Sequence, residues 1–187
     1  MGLILVYDLI SENWQCLRGT QFKDMLRAAR IKATTLLHSL GVQCTESVIL
    51  VSDSKRREID NVINKVYEIY NKALSDIERA LGVEFPRPVI RVLSLTIEQF
   101  VAFRELAERR LREAIDSNID RISTISEVLL DIRDSEKSRN LINSLRKLKR
   151  EWIRIKEHTI SIGIPLASDI DYLIELIDNA IATLRGR

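Results

Sequence analysis

The sequence predicts an α+β protein: a front half alternating strands and helices in the order βαββαβ, and a rear half of helices alone. Three observations carry this. Strand-like apolar runs occur at residues 3–10, 42–52 and 89–95 and then stop. Between them, and throughout residues 96–187, apolar side chains recur every three or four positions, the period of a helix with one buried face. Only 6 Gly and 3 Pro interrupt 187 residues, so the elements should be long. The expected division is residues 1–95 and residues 96–187.

Residues 3–10 are apolar or aromatic at every position except Asp8. So continuous a run fits a central strand covered on both faces. Its acid must then reach solvent at the strand end, find a partner, or serve a function, because an unpaired buried charge is costly. Residues 11–19 read as a loop. Thr20 is placed to cap a helix from Gln21, with Phe22, Leu26, Ala29, Ala33, Leu36 and Leu40 on one stripe. Gly41 is expected to end it in a positive-φ conformation. Two short strands follow, at 42–45 and 47–52. Asp53 or Ser54 should cap a second helix bearing Ile59, Val62, Val66, Tyr70, Ala73, Ile77 and Leu81, closed by Gly82. The last strand is 89–95.

Thr96 and Gln99 have the spacing of a capping box. They open a helix to about residue 133 whose later apolar steps approach a heptad seam. A break is expected at Asp134–Ser135, then a helix to about Glu157 with Leu141, Leu145, Leu148, Trp152 and Ile155 inward. Residues 158–167 read as a loop in which Ile160, Ser161 and Ile162 suit a short strand. Ser168 is expected to cap the last helix.

Charged residues make up 30% of the chain, yet the net charge is +2. That balance excludes a simple polycation and an acidic disordered chain. The abundance of Arg, Glu, Ile and Leu suits a thermophile. Cys16 and Cys44 form no CxxC motif and read as buried thiols of a reducing compartment. No apolar run reaches the roughly 20 residues of a membrane span, and the opening run lacks a basic lead. A cytoplasmic protein with no membrane partner is expected. There is no GxGxxG and no P-loop motif.

Two features bear chemistry. Asp8 is a candidate catalytic residue and Mg2+ ligand, since hard divalent cations take carboxylate oxygens; two copies related by a two-fold axis would supply a pair. The alternatives are a capping role or pairing with a base such as Arg18. The second feature is the basic segment holding Arg146, Lys147, Lys149, Arg150, Arg154 and Lys156. With Leu145, Leu148, Trp152 and Ile155 inward, its outward cations are candidate contacts to nucleic-acid phosphates.

The βαββαβ order matches the ferredoxin-like pattern. Within it, Val6-Tyr7-Asp8 resembles the VVYD opening of the second CRISPR-associated protein family, a ferredoxin-fold dimer of the spacer-acquisition complex. Residues 43–49, Gln-Cys-Thr-Glu-Ser-Val-Ile, are similar to the family's Gln-x-Ser-Val-Phe segment. The resemblance implies a homodimer on duplex DNA or RNA, with Asp8 at the position of a proposed metal ligand of a nuclease. The chain departs from the family in lacking basic residues just after Asp8 and in carrying residues 96–187. The expected function is a nucleic-acid-associated dimer, non-catalytic or a weak metal-dependent nuclease, linked to CRISPR defence. The alternative is a non-enzymatic interaction module whose partner binds residues 96–133.

Overall fold

The structure is a computed structural model describing residues 2–128 and 135–185. It is α+β, as expected. Four strands, β1 (Gly2–Asp8), β2 (Val42–Thr45), β3 (Val48–Ser52) and β4 (Val89–Ser94), form one antiparallel sheet in the order β2-β3-β1-β4. Five helices accompany it: α1 (Gln21–His38), α2 (Arg56–Leu81), α3 (Ile97–Val128), α4 (Ser135–Ile162) and α5 (Ala167–Arg185). The chain divides into two compact units, residues 1–103 and 104–187, with the division inside α3.

In the first unit β1 is central, and its alternation explains its composition. Leu3, Leu5 and Tyr7 point to the side of α1 and α2. They join Ile49, Val51, Leu26, Leu37, Val66, Tyr70 and Ile77 in a core. On the opposite face Ile4, Leu50, Val42 and Cys44 are buried too. There the first turns of α3 approach: a Cβ on Gly2 would lie 2.1 Å from the Phe100 ring, and the Cys44 thiol lies 3.7 Å from the Phe103 carbonyl oxygen. A strand covered on both faces must be apolar throughout. Asp8 is tolerated because it is the last residue and exposed.

Polar groups pin the sheet's lower end. The Tyr7 hydroxyl donates to the Glu46 carbonyl oxygen at 2.7 Å. That uses its one proton, so in the 3.0 Å contact with His38 it accepts from Nε2. Tyr70 is fully buried, and burial pushes its hydroxyl up to about 12. Glu78 accepts a two-pronged bond from Arg87, at 2.9 and 3.0 Å, and another from the Phe85 N–H at 2.9 Å. The Arg87 guanidinium first, then that N–H, hold its carboxyl below the usual range.

Several expectations are corrected. Gly41 does not adopt a positive φ; α1 ends at His38. A Cβ on Gly41 would lie 2.1 Å from the Leu50 carbonyl oxygen, so glycine is needed there for close backbone approach. Thr20 stands at the N-cap of α1, but its hydroxyl donates back to Leu17 O at 2.9 Å. Asp53 and Ser54 form a 3-10 turn, Asp53–Lys55, ahead of α2. Cys16 is exposed, because Leu17 takes the buried place in the turn Gln15–Leu17; Cys44 is buried. β4 is an edge strand, with Val89, Val92 and Leu93 all exposed.

The second unit is helical. The capping box ahead of α3 is made in both directions, Thr96 N–H to Gln99 Oε1 at 3.0 Å and Gln99 N–H to Thr96 Oγ1 at 3.3 Å. Ala107, Leu111, Ile115 and Ile122 of α3 are buried, as are Leu145 and Trp152 of α4. Residues 129–134, with the expected end of this helix and part of the expected break, lie outside the described residues. The expected loop at 158–162 is instead the last turn of α4, with Thr159 and Ile162 buried toward the side of Trp152 and His158 buried on another side of the helix. Gly163, at φ 77°, ends it. Helix α5 begins at Ala167, so Ser168 lies inside its first turn rather than at its cap.

Candidate functional site

Helix α4 carries the strongest charge pattern in the chain. From Lys137 to Arg150 there are six cations and no acid. With Leu145 and Trp152 buried, a rotation of about 100° per residue fixes where the others point. Arg139, Asn143, Arg146, Lys147, Arg150 and Arg154 fall within an arc of about 100° on the side opposite those two.

Lys149 and Lys156 fall near the buried stripe instead, and α5 meets them with acids. Lys149 Nζ lies 2.6 Å from Asp178 and Lys156 Nζ lies 2.6 Å from Asp171. Each is a partly exposed pair of about 0–1 kcal/mol. Their importance is geometric. They set the antiparallel register of α4 on α5 and take two of the six expected phosphate contacts out of the outward set.

On the outward arc Arg139, Asn143, Arg146, Lys147 and Arg150 are exposed. None makes a side-chain hydrogen bond or ion pair among the described residues. Arg154 is half-buried, and its Nε has no hydrogen-bond partner among them. Arg139 and Asn143 were not singled out from the sequence, although their phase relative to Leu145 and Trp152 would have placed them there.

Asp8 belongs to the first unit. It ends β1 opposite Val89, exposed, on the same face as Ile4 and Val6. Neither Arg18 nor any other described base pairs with it. No group of three or more His, Cys, Asp or Glu gathers anywhere among the described residues. Magnesium at Asp8 would therefore need its other ligands from a second copy of the chain or from phosphate oxygens. On α3, Arg112 donates to Glu108 at 2.9 Å.

The heptad-like seam of α3 turns inward at Ile115 and Ile122, which are buried within the chain. No helix among the described residues is long and apolar enough to cross a membrane. No family model, curated protein or solved structure matches this chain.

Proposed function

We propose that this is a nucleic-acid-associated protein: a ferredoxin-like front unit joined to a helical unit whose α4 meets the phosphate backbone, acting without catalysis of its own. The strand order β2-β3-β1-β4, with a helix after β1 and another after β3, supports the ferredoxin-like reading. The observation that carries the functional reading is the outward face of α4 from Arg139 to Arg150, a stretch that holds no acid, with Glu136 and Glu157 on the same arc beyond its two ends. Arg139, Arg146, Lys147 and Arg150 are exposed there without carboxylate partners among the described residues. Four uncompensated cations on one face, in a chain of net charge +2, are the electrostatic footprint of a phosphate ligand. The alternative, a partner helix laid on residues 96–133, is less favoured because Ile115 and Ile122 are already buried.

The test is fluorescence anisotropy with a labelled random-sequence duplex at low salt. Binding by the native chain, lost when Arg146, Lys147 and Arg150 all become Gln, is the expected result. No binding, or equal binding by that variant, overturns the reading. The reading includes a homodimer, which light scattering with and without duplex measures directly.

A further inference from the structure

We propose that α4 is a base-reading helix for the major groove of duplex DNA, with Asn143 as the residue that reads a base edge. This rests on the nucleic-acid reading above and adds to it a ligand class and a specificity residue.

Asn143 lies within the cationic arc, between the phases of Arg146 and Lys147. It is exposed, and its amide forms no side-chain hydrogen bond among the described residues. An unengaged Asn flanked by Arg and Lys has the chemistry of groove readout. Its amide matches adenine N6 and N7, Arg matches guanine O6 and N7, and the remaining cations hold the backbone.

The geometry favours entry into a groove. The two Lys–Asp pairs fix the α4–α5 register, since seven residues forward on α4 match seven back on α5. Continued along both helices, that register sets Arg185, the last described residue of α5, level with Ile142. Asn143 falls level with Leu184, with α5 on the Lys149–Lys156 side of α4 and the outward arc turned away from it.

The same features choose among nucleic acids. A helix about 10–12 Å across fits the roughly 12 Å major groove of B-DNA, whereas the A-form major groove of RNA is too narrow for side chains to read. No aromatic side chain lies on the outward arc, so the stacking platform of a single-strand binder is missing.

The experiment is selection of binding sequences from a random duplex DNA library, run in parallel with the full native chain and with Asn143→Ala. Because Asn143 is exposed, the variant should fold, which circular dichroism and its melting temperature check. The native chain should enrich a motif containing a fixed adenine. The variant should lose preference at that position by about 5- to 150-fold, the range for one bidentate base contact. Its affinity for a scrambled duplex should be unchanged. Binding to random duplex without any enriched motif overturns base reading and leaves the phosphate reading standing. The same motif from both proteins also overturns it. No binding to any duplex, or equal binding to anionic phospholipid vesicles, overturns both.

Discussion

Replacing Arg146, Lys147 and Arg150 with Gln should change the salt dependence of duplex binding by an amount that follows from the structure. Four cations stand exposed on the outward face of α4 without carboxylate partners among the described residues: Arg139, Arg146, Lys147 and Arg150. Each phosphate neutralised contributes about −0.9 to the slope of log affinity against log salt, so the native slope should be about −3.6. From 50 to 200 mM salt that slope loses about 150-fold in affinity, while a triple Gln variant retaining Arg139 should lose only about 3.5-fold. Lys149 and Lys156 supply the control, because Asp178 and Asp171 already hold them at 2.6 Å. Substituting either with Gln should leave the slope unchanged. Anisotropy titrations at four salt concentrations read all these slopes. If Lys149→Gln or Lys156→Gln lowers the slope as much as Arg150→Gln does, the division of α4 into outward and inward cations is wrong.

Three further outcomes test the fold. Gly41→Ala should destabilise the protein by about 1–3 kcal/mol in urea melts, because the new Cβ meets the Leu50 carbonyl oxygen at 2.1 Å and neither backbone can yield cheaply. A stability equal to native would mean that β3 does not pass so close. Tyr7→Phe should cost about 1–2 kcal/mol, since it removes the donor to Glu46 O and the acceptor from His38; an unchanged melting temperature would contradict those bonds. Tyr70 has a folded-state value pushed from 10.0 up to about 12. Its contribution is therefore complete below pH 10 and declines as pH rises toward 12, at up to about 1.4 kcal/mol per pH unit. Urea melts across that window measure the slope, and a flat profile would count against a buried neutral phenol.

The sequence was most informative where one physical rule acts alone. An unbroken apolar run admits few fates, and β1 is the central strand with its acid at the exposed end. The Thr96–Gln99 spacing has a single geometric meaning, and both bonds form. It was least informative where distant residues decide. The β-branched Ile160 and Ile162 suggested a strand, yet the buried stripe through Trp152, Thr159 and Ile162 keeps them in a helix. Local propensity yields to packing there. Gly41 looked like a helix terminator because nothing in the sequence shows that β3 passes against it. In the candidate site the cluster of cations was legible. Its division was not, because the acids that face Lys149 and Lys156 lie on α5, 29 and 15 residues further along the chain.

Mapping the bound surface tests the central claim most directly. Duplex DNA titrated into the isotope-labelled chain, followed by amide and guanidinium NMR signals, should shift Arg139, Asn143, Arg146, Lys147 and Arg150 together, with Lys149, Lys156 and the β-sheet little affected. Shifts centred on β1 and β4, or none on α4 at saturating duplex, would contradict the account.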